Sequence, residues 1–210
     1  GFDSRDDKLG GGINYGSFGL TLARIDLTDN PSNWSTDQAG ADNNGRNFKG
    51  TLNLNRLNKL TSKTNMLLKF NGQLAADNLD GADQLGLGGP SAVRAYPSNE
   101  AAGDTGFIAS VELKRNLFKN VESTLFYDYG KIKLHKKLWN DWNSTNTGLK
   151  NNYHLQGYGV SLGIPIFNNF NVNASFARKI SHNSGRDISG NDVDGLSWQD
   201  RGLISINSRF

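Results

Sequence analysis

The 210-residue sequence contains no cysteine, only four prolines and a single methionine. Without cysteine the chain has no disulfide framework, no thiolate nucleophile and no thiolate metal ligand. The three histidines, His135, His154 and His182, match no metal-ligand spacing, and no serine nucleophile motif is present. The sequence therefore predicts no catalytic residues, no metal site and no cofactor.

Long apolar runs are also missing, since hydrophobic residues make up only 36% of the chain. The longest stretch without acidic or basic residues, Asn151–Ala177, is interrupted by Gly157, Gly159, Gly163 and Pro165. A membrane-spanning helix needs about 20 consecutive apolar residues, so the composition excludes that class. A membrane-spanning β-strand needs apolar residues on one face only, over roughly 10 residues, and the composition permits it.

Charge of one sign does not dominate, because 23 basic residues against 20 acidic ones leave a net charge of +3. The basic residues form no block and no Walker-type phosphate loop is present, so we predict neither a nucleic-acid partner nor a nucleotide. The acidic stretch Asp187–Asp194 lacks the glycine and glutamate positions of an EF-hand. We interpret it, and the charged stretch Asp3–Lys8, as solvated loops. No secretory signal follows Gly1, so we expect a mature chain or a fragment.

Alternation of apolar and polar residues is what the sequence does contain. Phe18, Leu20 and Leu22, for example, alternate with small polar residues, and helical periodicity is missing throughout. Such alternation places apolar side chains on one face of a strand. The pattern predicts eight strands, at residues 14–27, 48–55, 66–74, 107–114, 121–130, 157–164, 170–176 and 198–210.

The connections between these strands alternate between long and short. The long connections are polar, and aromatic residues such as Tyr127, Tyr129 and Trp198 lie near strand ends. Outer-membrane barrels have long outside loops, short periplasmic turns and aromatic girdles, whereas a soluble β-sandwich shares only the strand pattern. Long connections span 28–46, 78–105, 132–152 and 181–195, and short ones span 58–63, 118–120 and 166–169.

The second long connection contains an arginine after a turn sequence. Gly88, Gly89 and Pro90 favour a sharp reversal, and Arg94 follows it with five fixed hydrogen-bond donors suited to a carboxylate. On the strand at 121–130, alternation directs Asp128 to the face opposite Leu125. If Leu125 faces lipid, that carboxylate points into the interior, where a loop arginine could meet it.

These residues resemble the outer-membrane transporters of two-partner secretion (the TpsB class), which share a superfamily with the outer-membrane insertases. The similarity runs from Phe48 through Leu117. The lid motif of the superfamily, Val-Arg-Gly followed by Tyr or Phe, is matched by Val93, Arg94, Ala95 and Tyr96, with alanine in place of glycine. The motif FxDxG is matched by Phe126, Asp128 and Gly130, and the terminal Phe210 resembles an outer-membrane targeting signature.

The resemblance implies the fold and function of this family. It implies an all-β, transmembrane antiparallel barrel of about 16 strands, of which residues 1–210 would be the eight C-terminal strands with an inward-folding lid loop at about 78–105. POTRA domains and the N-terminal strands would lie outside this chain. The implied function is secretion and activation of a large haemolysin- or adhesin-type exoprotein, with the outer-membrane bilayer and the barrel assembly machinery as further partners.

Physical arguments agree with a partial barrel. A closed eight-stranded barrel is filled by its own side chains, which leaves no room for a lid of this length. We predict that Arg94 and Asp128 form a latch holding the lid inside the pore. Two alternatives stay open: an insertase-like assembly factor, and a small eight-stranded barrel or soluble β-sandwich with a structural or binding role.

Overall fold

The computed structural model describes residues 1–7, 11–118, 121–166 and 169–208. Within these ranges the protein is built almost entirely from β-strands, with one α-helix and a short 3-10 turn at Gly81–Asp83. The elements are β1 Phe2–Asp6, β2 Gly12–Ile25, α1 Pro31–Ala39, β3 Gly45–Lys59, β4 Thr64–Ala75, β5 Leu85–Gly86, β6 Ala102–Gly103, β7 Thr105–Asn116, β8 Glu122–Lys133, β9 Asn152–Ile166, β10 Phe170–Lys179 and β11 Asp200–Ser208.

Nine of the strands form one antiparallel sheet, in the order β1-β2-β3-β4-β7-β8-β9-β10-β11. Strands β5 and β6 pair only with each other, inside the long connection between β4 and β7. The predicted all-β antiparallel architecture is confirmed, and each predicted segment overlaps one long strand. The sheet is open, because β1 and β11 lie at its two edges in the part of the chain that the structure describes.

Strand β1 adds a ninth member that the sequence did not indicate. It pairs with β2 in the register Phe2↔Gly16 to Asp6↔Gly12. The ring of Phe2 lies over Gly16, where an added Cβ would come within 2.9 Å of it. Backbone pairing holds this exposed strand in place, and neither of its faces is buried. Its charged sequence therefore shows no alternation of apolar and polar residues. The loop interpretation of this segment was therefore wrong, and charged residues are common on such edge strands.

The connection between β2 and β3 contains α1, which apolar periodicity also failed to predict. Asn30 caps the helix, since its side chain accepts a hydrogen bond from Asn33 N at 3.2 Å, and Pro31 occupies the first turn. No residue of α1 is buried, so an amphipathic pattern is missing. Among the described residues, no helix is long and apolar enough to cross a membrane.

The two faces of the large sheet differ in polarity. Phe18 and Leu22 of β2 are 63% and 71% exposed on the outer face, and Leu125 of β8 is exposed on the same face. Ser110 and Asp128 are buried on the inner face. A soluble protein buries its apolar face, whereas an outer-membrane barrel directs it outward to lipid. The distribution is the one that strand alternation predicted.

The buried core lies between the inner face of the sheet and the connection of residues 76–104, which we call the lid. Leu87 and Val93 of the lid are completely buried, and they pack with Ile132 and Leu155 of the sheet. The lid therefore folds inward over β7 to β10 instead of extending from the end of the sheet. This position places its arginine next to the predicted strand motif.

Candidate functional site: a lid bound to the inner face of the sheet

Asp104 fixes the lid at its base. Its buried carboxylate accepts hydrogen bonds from Leu79 N at 3.1 Å, Gln84 Nε2 at 2.9 Å and Lys136 N at 2.7 Å. These bonds join both limbs of the lid to the β8–β9 connection, and the β5–β6 ladder joins the limbs to each other. The tip, residues 87–100, therefore projects from a stem with a defined direction.

The tip begins with the predicted turn residues. Ala92 N donates to Gly89 O at 3.1 Å, which closes a turn that has Pro90 at its second position. Gly89 has a φ of 116°, a conformation that side-chain-bearing residues rarely adopt. A Cβ on Gly88 would lie 2.0 Å from Pro97 O. Both glycines are therefore needed for the chain to double back toward the sheet.

Arg94 and Asp128 meet through three hydrogen bonds. Arg94 Nε and Nη2 donate to Asp128 Oδ2 and Oδ1 at 2.8 and 2.7 Å, and the Arg94 backbone N donates to Oδ2 at 3.1 Å. Ser110 Oγ donates to Oδ1 at 2.8 Å. The Asp128 side chain is 0% exposed and that of Arg94 only 15%. Removing one partner of such a desolvated pair leaves a buried charge, at a cost of about 3–5 kcal/mol.

A second carboxylate, Glu112 of β7, completes the arginine site. Arg94 Nη1 lies 3.0 Å from Glu112 Oε1, and Glu112 also pairs with Lys69 at 2.8 Å and Lys114 at 3.7 Å. Sequence reasoning did not select Glu112, although strand alternation placed it on the polar face. The missing information was the register of β7 with β8, which brings Glu112 beside the strand motif.

Phe126 supplies an aromatic surface for the same guanidinium. The Arg94 Cζ lies 3.5 Å from the centroid of the Phe126 ring, which is cation–π geometry. Gly159 lies opposite Phe126 on β9, and a Cβ there would come within 2.5 Å of the ring. The glycine leaves the space in which the ring lies under the arginine. Arg94 thus contacts two carboxylates and one ring face.

Two glycines of the sheet form the seat of the lid tip. A Cβ on Gly130 would lie 3.0 Å from Leu87 and 3.1 Å from Val93, and one on Gly157 would lie 2.5 Å from the Ala95 Cβ. Ala95 is not among the residues with positive φ. Alanine in place of the glycine of the superfamily pattern is therefore compatible with this backbone, and its methyl group lies against Gly157.

Tyr96 extends the contact from the lid to the connection between β10 and β11, residues 180–199, which we call the outer loop. The Tyr96 hydroxyl donates to Ser181 O at 3.1 Å, and its ring is completely buried. Burial raises the pKa of Tyr96 to about 12. The phenol therefore keeps its proton and remains a hydrogen-bond donor.

The outer loop also contains a buried carboxylate where the sequence predicted a solvated segment. Asp192 is buried and pairs with Lys179 at the end of β10. The solvated interpretation was therefore wrong for Asp192, because a lysine of the adjacent strand compensates its charge. Asp187, Ile188 and Asp194 of the same segment are exposed as expected.

Arg94 keeps its charge in this site. Burial lowers its pKa, but the hydrogen bonds and charges of Asp128 and Glu112 outweigh burial, so the pKa lies above its ordinary value. The guanidinium is therefore charged at every physiological pH. No cluster of His, Asp or Glu within the described ranges is arranged to hold a metal ion. The predicted targeting residue Phe210 lies outside the described residues.

The open antiparallel sheet has an apolar outer face, as outer-membrane barrels do, and a lid paired through arginine to its inner face. The chain belongs to the haemolysin secretion/activation protein family ShlB/FhaC/HecB, whose family model matches residues 21–165. Members of this family are outer-membrane transporters of Gram-negative bacteria, which confirms the predicted class and location.

Relatives among characterised proteins agree with this assignment. The chain is 32% identical over 118 residues to the heme/hemopexin transporter protein HuxB of Haemophilus influenzae strain Rd, and equally to that of strain 86-028NP. These matches cover 54% of this chain and 20% of each relative, so the chain spans about a fifth of the length of these relatives. No solved structure matches the chain.

Proposed function

We propose that the protein containing this chain secretes a large partner exoprotein of the haemolysin or adhesin type across the outer membrane, and that the lid gates its pore. The observation that carries this proposal is the buried contact of Arg94 with Asp128 and Glu112. This pair stabilises one defined docked position of the lid, and breaking it would release the lid tip as a unit.

The sheet would form the C-terminal part of the barrel wall. Each unpaired backbone group on an open edge costs several kcal/mol in lipid, so we propose that strands outside this chain pair with β1 and β11. The apolar outer face would contact the bilayer. The POTRA domains that the resemblance implies would also lie outside the chain, and the barrel assembly machinery would engage β11.

The polar inner face suits passage of an unfolded polypeptide. Thr124 and Gln73 are examples of inward side chains that carry no charge and are able to hydrogen-bond to water or peptide groups. With the lid in place, that face is covered from β7 to β10. A tenfold change in an equilibrium constant corresponds to about 1.4 kcal/mol. Loss of about 3–5 kcal/mol at the arginine site would therefore shift the equilibrium between docked and released lid more than a hundredfold.

Expression of the complete transporter with the large exoprotein encoded beside it tests the secretion proposal. We expect exoprotein in the medium with the transporter and its retention in the periplasm without it. An insertase-like factor would behave differently: its depletion would lower the amounts of unrelated outer-membrane barrels and leave exoprotein export dependent on another protein. That result would contradict the proposal. A closed eight-stranded barrel has less support, because the sheet is open and the lid occupies its inner face.

A further inference from the structure

A second buried polar cluster connects the lid to the outer loop. Glu100 Oε1 accepts a hydrogen bond from Asn183 Nδ2, and Oε2 accepts one from Val193 N at 2.8 Å. Asn183 Nδ2 also donates to Asp192 Oδ1 at 3.2 Å, and the other Asp192 oxygen pairs with Lys179 Nζ. The side chains of all four polar residues are buried. One carboxylate of the lid is thus bound by both limbs of the outer loop.

The charged groups of this cluster keep all of their partners only while the lid and the outer loop stay together. Glu100 and Asp192 are both acidic, and Lys179 is the buried cation between them and the sheet. Arg201 lies 4.0 Å from Asp192 at the rim. Asn183 donates to both carboxylates. If the lid moved away alone, Glu100 would lose both of its donors, and buried charged groups without partners are strongly unfavourable.

The backbone around Glu100 indicates a defined position for this side chain. Asn99 and Ala101, on either side of it, have φ values of 63° and 58°. The left-handed conformation is unfavourable for residues with a Cβ, and for alanine in particular. Two residues in this conformation, one on each side of Glu100, persist only where surrounding contacts hold them. Backbone hydrogen bonds from Leu87 N and Gly88 N to Glu100 O, at 3.2 and 3.1 Å, hold this segment together with the side-chain contacts of Glu100 to the outer loop.

We propose that Glu100 is a positioning residue that makes the lid and the outer loop one mechanical unit. Arg94 attaches the tip to β7 and β8, while Tyr96 and Glu100 attach it to the outer loop. Release of the lid at Arg94 therefore requires movement of the outer loop, and the reverse holds because coupling between sites is reciprocal. The role of this unit in export rests on the proposed function, whereas the coupling itself does not.

Arg186, exposed in the outer loop, provides a readout that needs no export. In the purified complete transporter in detergent, we would measure the initial rate of trypsin cleavage after Arg186 by mass spectrometry. Glu100→Ala removes both carboxylate acceptors of Asn183 Nδ2 and Val193 N, so we expect cleavage about tenfold faster, because hydrogen bonds to a charged group are lost. Asn183→Ala should have the same effect on the cleavage rate, and it replaces the Glu100 variant in the assay if that variant does not fold.

The decisive arm is Asp128→Asn, since Asp128 bonds to Arg94 and Ser110 and to no residue of the outer loop among the described residues. Coupling predicts that trypsin also cleaves after Arg186 several-fold faster in this variant than in the wild type. The matched control is Asp194→Asn, which removes a pair between the outer loop and Arg201 of β11, does not touch the lid, and should leave cleavage unchanged. Heat-modifiable migration on gels would verify that each barrel is folded.

An unchanged cleavage rate in Glu100→Ala or in Asp128→Asn overturns the inference, because the outer loop would then be independent of the lid. Failure of the proposed function looks different. In that case cleavage at Arg186 would rise in both variants, while secretion of the exoprotein would stay at the wild-type level. The two outcomes come from separate assays on the same variants.

Discussion

Asp128 Oδ2 accepts two hydrogen bonds from the same residue, one from Arg94 Nε at 2.8 Å and one from the Arg94 backbone N at 3.1 Å. The lid is therefore attached through its main chain as well as through the guanidinium. Replacement of the arginine side chain removes the ionic attachment but leaves one bond to the strand. Replacement of the aspartate removes all of them, so the two changes should not be equivalent.

Arg94→Ala should destabilise the docked lid by about 3–5 kcal/mol, because it leaves Asp128 and Glu112 buried without their cation. Arg94→Lys should fall between alanine and wild type, since an ammonium cannot bond both oxygens of Asp128 in the planar arrangement. The open fraction of single channels in planar bilayers measures this ranking. As a control, Lys137→Ala breaks an exposed pair with Asp77 and should leave the open fraction unchanged, because solvent screens exposed pairs. Equal open fractions in all three variants would rule out the latch.

Glu112→Gln should open the channel less than Arg94→Ala but measurably, at about 1.5–3 kcal/mol, because it removes a charged partner of the guanidinium. Lys69 and Lys114 would then lack their buried carboxylate. Glu122→Gln is the matched control, since Glu122 is more exposed and pairs only with Lys114 among the ion pairs of the described ranges. A double-mutant cycle with Arg94 should show coupling for Glu112 and none for Glu122.

Gly157→Ala should displace the lid without changing any charge, because the new methyl group would lie 2.5 Å from the Ala95 Cβ. Overpacking of this kind costs about 1–3 kcal/mol. The compensating change Ala95→Gly should restore lid docking in the double variant, measured by the same channel recordings. Gly202→Ala on β11 has open space around it and should have no effect. If the double variant is as open as Gly157→Ala alone, steric seating on Gly157 is not what positions the tip.

Acidification should tighten the docked lid through Glu100. Burial raises the pKa of Glu100, and Asp192 raises it further, while hydrogen bonds and Lys179 lower it. A carboxyl whose folded pKa is raised binds more protons when docked, so its stabilisation is fully present below its ordinary pKa and is lost as pH rises through the raised value. Channel opening should therefore decrease between neutral pH and the ordinary glutamate range. Glu100→Gln should remove that pH dependence, and a wild-type response in this variant would assign the effect to another group.

Much of the fold was predictable because each strand is amphipathic. Alternation located β2, β3, β4 and the later long strands, and it directed Asp128 to the inner face. The same reasoning missed β1, which is held by backbone pairing, and α1, which buries no residue. Neither element has an apolar pattern to detect. Apolar periodicity does not reveal helices and strands that have no buried face.

Only the two motifs of the candidate site could be predicted from the sequence. Arg94 and Asp128 matched a known pattern, but Glu112 reaches the arginine through the register of β7 with β8, which no local signal specifies. Glu100 and Asp192 are 92 residues apart in sequence and meet only once the lid is folded inward. A buried carboxylate within an acidic stretch has the same sequence appearance as a solvated one.

The central claim is that the Arg94–Asp128 pair controls export, and charge reversal tests it most directly. Secretion of the partner exoprotein by the complete transporter would be measured for Arg94→Glu, Asp128→Arg and the double variant, at equal amounts of inserted barrel. We predict that each single variant impairs export, since like charges would face each other in a buried site, and that the double variant recovers part of it. Normal export by both single variants would contradict the account.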